Sequence, residues 1–405
     1  MKKTISFLLT LFTTITYTNA QTQAVNPEVK YRRSSLYTLM IHDDTRPYAE
    51  VIRASFEKGP IPEKFNNHNL GNRVIPTSNA KDESQNITAF LAENNVARDI
   101  VAKWFNRSAK GGFNMDMIAD RGKYDANALD IAKAKASQRG LETLADAGEE
   151  LIKNTFILVN DYNYVSKEEV AKKASGWLNA IGSVASSAGL GDVSATTSLT
   201  SAAVTVAGKG YVVKTTAHLY RLVWDEETAA IFYNDYWADD KTITPEKKKA
   251  FEESTIFKLE YIGSDTSWAD VQSSVFTKKT EEELIEKATV KAVDAVIVKL
   301  QKNHDEFKTK TPLYSGEPIS AKIGLKEGLT DKSKFDVLEQ VLNKEGKTEY
   351  VVVGTIKVDD KLPIWDNRYG ADEENPNSTE DRTYFKKVSG KDFYPGMLIV
   401  QKKGK

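Results

Sequence analysis

Two hydrophobic periods run along this chain, and it divides where one gives way to the other. Up to about residue 311, runs of β-branched and aromatic residues alternate with stretches whose apolar side chains recur every three or four positions. Beyond residue 318 only short strand-like runs remain, with polar turns between them. The first pattern predicts an α/β (α+β) domain over 21–311, a mixed sheet covered by helices. The second predicts a small C-terminal β-barrel over 318–402. Residues 312–318, bounded by Pro312 and Pro318, read as the linker between the two.

Within the first pattern the organising passage is 113–161. Residues 113–119 read as a half-buried strand, and Asp125 as the N-cap of an alanine-rich helix carrying Ala128, Leu129, Ala132, Leu141 and Leu144. Residues 155–161 are apolar on consecutive positions, the mark of a strand buried on both faces. A helical crossover between two strands favours a parallel pair, so this is a β-α-β signature. Before it, 35–41 reads as the first strand and 47–56 as a helix with Pro47 at its first position. A long loop follows over 59–86, then one helix over 88–105, with Val96, Ile100 and Trp104 spaced four apart. After it, Ser166 and Glu169 spell a capping box, and 211–224 with 229–237 predict a hairpin turned by 225–228. Thr244-Pro245 opens a short helix and 255–262 reads as a strand. A second capping box, Thr280 and Glu283, opens a helix to about residue 307 with the stripe Ile285, Ala288, Ala292, Val296 and Leu300. The barrel strands are predicted at 319–323, 334–340, 350–358, 384–388 and 397–401, with 343–346 at a hairpin tip and 366–382 as a polar loop.

The first twenty residues stand outside this pattern. Lys2 and Lys3 precede an apolar run over 5–15, and Thr18-Asn19-Ala20 places small residues before a cleavage point at Gln21. Residues 1–20 therefore read as a secretory signal peptide. The expected address is periplasmic or outer-membrane associated in a bacterial cell envelope. The chain has no cysteine, which excludes disulfides, thiol chemistry and a lipoprotein anchor at that point. Its formal charge is −1, and removing Lys2 and Lys3 gives −1 − 2 = −3. So near-neutral a chain predicts no nucleic-acid footprint, and no later apolar run has transmembrane length.

Familiar catalytic patterns are missing from the sequence. His42, His68, His218 and His304 are scattered, and none belongs to a His-Glu-x-x-His pair. No Gly-x-Ser-x-Gly elbow or phosphate-binding glycine pattern occurs, and no cofactor or metal is predicted. His42 beside Asp43 and Asp44 closes a predicted strand, where α/β sheets often present ligands, and is the candidate acid/base site if the protein is a hydrolase. The acids of 366–382 lack the spacing of a calcium loop and read as solvated. Tyr220, Trp224, Tyr233 and Trp237 gather on the predicted hairpin and form the candidate binding face. Between Ser175 and Gly208 the sole charged residue is Asp192, and small residues dominate. That segment suits a small-residue helix and loop, or an insertion ordered by a membrane or partner.

Two passages carry a resemblance. Met117-Ile-Ala-Asp-Arg121, with Tyr124-Asp125-Ala126 and the alanine-rich helix, resembles the α/β module of curli-transport and flagellar-assembly envelope proteins, loosely over 35–310. Ala321-Lys-Ile-Gly324, Lys334-Phe-Asp-Val337, Val353-Gly-Thr-Ile356 and Pro395-Gly396-Met397 look like the small barrel that ends flagellar-assembly proteins, over 318–402. The chain departs from that pattern in lacking a lipoprotein cysteine and in the poor alternation of 175–208. The resemblance implies a non-enzymatic envelope protein with a binding or assembly role. Its expected partner is another envelope protein or a second copy, with no transmembrane helix and with room for peripheral membrane contact. An oligomeric membrane-contacting assembly component and an exported hydrolase are the alternatives.

Overall fold

The computed structural model describes residues 34–62, 64–71, 74–77, 83–125, 151–166, 210–272, 280–342 and 348–402. Strand β1, Ser35–His42, is buried along most of its length, as its run of apolar residues requires of an interior strand. Helix α1, Ala49–Lys58, follows it. Two short strands, β2 (Asn66–Asn67) and β3 (Val74–Pro76), pair parallel with β1, inside the stretch expected to be loop. On the other side of β1 lies β4, Thr155–Ser166, also parallel. Antiparallel neighbours β5 (Gly210–Leu222) and β6 (Leu259–Gln272) complete the order β2-β1-β4-β5-β6. The sheet is mixed and helix-covered, as the hydrophobic pattern predicts.

Helices cover both faces. Against one face pack α2 (Glu83–Glu93), α3 (Val96–Trp104) and α4 (Asp116–Asp125), through Ile87, Leu91, Ile100, Trp104 and Ile118. Against the other lies the long helix Glu281–Asn303, whose stripe Ile285, Ala288, Ala292, Val296 and Leu300 is wholly buried. Its Thr280–Glu283 capping box forms as the sequence spells it.

Several elements differ from the sequence reading. Residues 113–119 are not a strand: Asn114 Oδ1 accepts the Asp116 N–H at 3.1 Å, and α4 begins there. An asparagine that caps a helix offers the backbone an alternative to a strand ladder. Asp125 is consequently the last residue of α4 rather than an N-cap, and the parallel pair is β1 with β4. The single helix expected over 88–105 is broken between α2 and α3, where Asn95 adopts φ 51°, a left-handed conformation that asparagine tolerates. Helix α1 starts at Ala49, after a left-handed Tyr48, rather than at Pro47. The second hairpin arm, 229–237, is helical. Asp225 Oδ1 accepts the Thr228 N–H at 2.8 Å and opens α5 (Glu226–Ile231), which runs on as a π-turn through Phe232–Tyr236. Within that turn the rings of Phe232 and Tyr236 both meet Phe251, and this packing overrides their strand preference. Helix α6, Pro245–Glu252, follows with Thr244 as its cap, and β6 starts later and runs longer than the predicted 255–262. The long helix Glu281–Asn303 is α7 in chain order.

Beyond α7 the chain forms a closed six-stranded barrel. Its strands are β7 (Thr311–Gly316), β8 (Ile319–Ala321), β9 (Lys334–Leu342), β10 (Thr348–Val358), β11 (Thr383–Gly390) and β12 (Leu398–Gln401). They close in the order β10-β11-β8-β7-β12-β9, each pair antiparallel. The five predicted strands all occur. Residues 312–318 are not a linker, since β7 occupies 311–316 and pairs with β12 and β8. The polar loop 366–382 holds one short helix, α8, Ala371–Glu374. The predicted helix beyond Asp125, the capping partner Glu169, the small-residue segment 175–208 and the tip 343–346 lie outside the described residues.

Candidate functional site

The strand connections single out one place. From β1 the chain passes through α1 to β2 and β3 on one side. It later returns through α2 to α4, on the opposite face, to β4 on the other side. The carboxyl end of β1 is thus where the connections diverge, the position at which open α/β sheets form a crevice. His42, the last residue of β1, sits at that point.

Consecutive side chains there turn to opposite faces of the sheet, as strand geometry demands. His42 shares the parity of Met40 and faces the α1–α7 side. Its Nε2 lies 2.6 Å from Asp44 Oδ1 and 3.4 Å from Glu50 Oε1, Glu50 being in the first turn of α1. Asp43 belongs to a different group. It accepts hydrogen bonds from the Thr45 hydroxyl at 2.6 Å and the Thr45 N–H at 3.0 Å, which hold its carboxyl below the usual range. The Arg46 guanidinium donates to Asp43 at 3.2 Å, to Asp161 just beyond the β1-paired part of β4, and to the Tyr162 carbonyl at 2.8 Å. Burial works to lower the pKa of Arg46, but its bond to Asp161 and the charges of Asp161 and Asp43 outweigh it, so the direction is upward. Burial pushes the Asp161 carboxyl up, and Arg46 offsets part of that rise. Beside Asp161, His218 Nε2 meets Glu83 Oε2 at 3.3 Å, and this contact draws the Glu83 carboxyl downward.

The remaining histidines and the aromatic face are placed elsewhere. His68 is fully buried, with Nε2 on the Ile100 carbonyl at 3.0 Å and Nδ1 on Arg121 at 2.9 Å; desolvation first, then the Arg121 charge, lower its pKa well below the ordinary value. Arg121 itself lies over the Trp104 ring at 4.2 Å. His304 approaches Asp265 at 3.6 Å, far along the sequence from β1.

Tyr220 lies in the core on β5, its hydroxyl 3.1 Å from both the Thr88 hydroxyl and the Ser84 carbonyl. Trp224, Tyr233 and Trp237 are half-buried around Phe105 and Phe232, which stack at 4.3 Å. Trp224 and Trp237 each lie 5.7 Å from the Phe105 ring. Trp224, Tyr233 and Trp237 therefore come together around the Phe105–Phe232 pair, whereas the Tyr220 ring meets Tyr261 instead. In the acidic loop, Asp366 pairs with Arg368 and Asp381 with Arg382.

Of the groups at the end of β1, the sequence points to His42, Asp43 and Asp44. Glu50 carries a local signal, since it stands in the first turn of the following helix. The pairing of Arg46 with Asp161 carries none, because 115 positions separate them. In comparisons with known proteins, no family model matches the chain and no curated protein matches it.

Proposed function

We propose that this protein is an exported, non-enzymatic component of a bacterial cell envelope, with a binding or assembly role exercised through its C-terminal barrel. The observation that carries the reading is a ribbon standing out from the barrel. Strand β10 pairs with β11 only over Gly354–Val358 but with β9 over the whole of Thr348–Lys357, among the described pairings. Residues 348–351 and their partners 339–342 therefore extend past the β11 and β12 pairings as a two-stranded ribbon, with Val352 at its base. Val351 and Val352 point to opposite sides of it, and both are exposed, at 45% and 57%. A strand edge that carries exposed valines is a template for another chain, which natural proteins usually blunt with charge or proline. The signal-peptide pattern of residues 1–20 supports the export part of the reading.

Native purification of the mature chain from envelope extracts tests it, read by intact-complex mass beside a V351K/V352K variant. The expected result is a reproducible complex with an envelope protein or a second copy, and a lone chain for the variant. A wild-type chain that purifies alone overturns the proposal.

A further inference from the structure

We infer that His42, Asp44 and Glu50 bind one divalent transition cation of the zinc class at the carboxyl end of β1. The donor set comes first. One imidazole nitrogen and two carboxylate oxygens, one from each residue, all lie within 4.8 Å of one another. Zinc takes nitrogen and oxygen ligands at about 2.0–2.2 Å, so ligand atoms on one tetrahedral ion stand about 3.4 Å apart. The His42–Glu50 separation is 3.4 Å. The Asp44 oxygen is nearer, at 2.6 Å, and its side chain is 84% exposed and free to swing outward.

The second observation concerns His42 itself. Its side chain is 10% exposed, and its Nε2 is sealed from solvent with no hydrogen-bond partner among the described residues. The two nearby carboxylates approach that nitrogen without hydrogen-bond geometry. A buried ring nitrogen normally finds a partner, and an ion held between the three groups supplies one.

Charge at this end of the sheet favours a cation. Asp44 and Glu50 both lie against His42, while the nearby Arg46 guanidinium is bonded to Asp43 and Asp161 instead. The imidazole selects zinc-class ions over calcium and magnesium, which prefer all-oxygen sites. Three protein ligands leave a fourth position for water or for an oxygen of an incoming molecule. The inference rests on these three side chains and holds whether or not the barrel has an envelope partner.

The test is calorimetric titration of the purified, chelator-treated mature chain with zinc, calcium and magnesium chlorides in turn. A D44N/E50Q variant is run beside it, since both changed side chains are exposed and the fold should be kept, as circular dichroism checks. The expected result is one zinc per chain and a zinc-dependent rise in Tm. The variant should lose at least about tenfold in affinity, a loss already seen when a mere hydrogen-bond partner of a ligand is removed. No zinc binding by the wild type, binding kept to within tenfold in the variant, or tighter binding of calcium or magnesium than of zinc each overturns the inference.

Discussion

The α/β body and the barrel are held together by different kinds of core. In the body, a sheet face meets a dense set of rings: Phe105, Phe113, Phe232, Phe251 and Phe257 meet stacked, tilted or edge to face with centroids 4.3–6.4 Å apart. In the barrel, the interior is mostly aliphatic, with Leu313, Ile319, Val337, Ile356, Val358 and Ile399 around the Phe335–Phe385 pair. A ring core draws its residues from helices and loops far apart in sequence. A barrel core is drawn from alternate positions of short neighbouring strands. The two should therefore fail in different ways.

The largest effect is expected where the ring core is densest. Phe232 is fully buried and has seven aromatic rings with centroids within 6.4 Å of its own, so F232A should cost about 3–5 kcal/mol. Urea unfolding followed by tryptophan fluorescence checks this, because Trp224 and Trp237 lie beside that ring. A loss below about 1 kcal/mol, the ordinary cost of a point mutation, would show that the cluster is not the keystone of the body.

The barrel should instead be most sensitive to added volume at its seam. A Cβ on Gly354 would sit 2.5 Å from the Phe393 ring and 2.6 Å from the Ser389 carbonyl oxygen. The β11 backbone cannot retreat without opening the β10–β11 pairing, so G354A should cost about 1–3 kcal/mol. Hydrogen exchange locates the damage. Faster exchange in β10 and β11 with β4 and β5 unchanged sharpens the contrast between the two cores, and uniform acceleration across both breaks it.

The difference between the cores also explains what could be read in the sequence. Barrel strands β8 to β12 announce themselves because period-two alternation is local. Strand β7 was hidden by Pro312 and Pro318, which spell a linker; yet Pro312 pairs opposite Leu398, and Leu313 supplies the N–H that bonds the Met397 carbonyl at 2.7 Å. In the body, β1, β4 and α7 are legible because burial dictates their composition. The stretch 229–237 is not, because aromatic residues serve a strand and a ring-packed helix equally well, and only the distant Phe105 and Phe251 decide between them. The candidate site divides likewise. His42 and Asp44 are visible as the end of a strand, whereas Asp161 reaches Arg46 only through the β1–β4 pairing.

That ion pair gives a third, pH-dependent prediction. In R46M, Asp161 loses its guanidinium while remaining largely buried, with 18% of its side chain exposed. The unmet charge should cost about 1–3 kcal/mol at pH 7. Asp161 already has its pKa raised by burial, and the substitution raises it further by removing the offsetting charge. A folded-state pKa above the unfolded value means that the folded protein takes up the proton first. The deficit of R46M should therefore shrink as pH falls through that raised value toward the ordinary carboxylate range. Asp43 and Glu83 are also held down in part by the Arg46 charge, so in R46M both move upward with Asp161 and add to the trend rather than mask it. A deficit that stays constant between pH 7 and pH 4.5 would assign the effect to lost packing of the arginine stem instead.

The smallest effect probes whether the two regions are coupled at all. Lys326, in the turn after β8, reaches Asp294 on α7 at 3.6 Å. Lys64, whose ammonium is buried and hydrogen-bonded to Gln301 at 2.9 Å, is driven to a lower pKa by desolvation, opposed by Glu327 and Asp294. Burial also raises the Asp294 carboxyl, with Lys326 and Lys64 offsetting part of the rise. Because both partners of the Lys326–Asp294 pair keep some solvent contact, the pair should contribute only about 0.2–1 kcal/mol. A double-mutant cycle on K326M and D294N, read by urea unfolding, isolates that term from the cost of each single change. A coupling energy in this range, with body and barrel unfolding in one transition, makes the α7 face a true joint between unlike cores. A coupling of zero, with two separate transitions, would mean that the barrel is carried by the body without being stabilised by it.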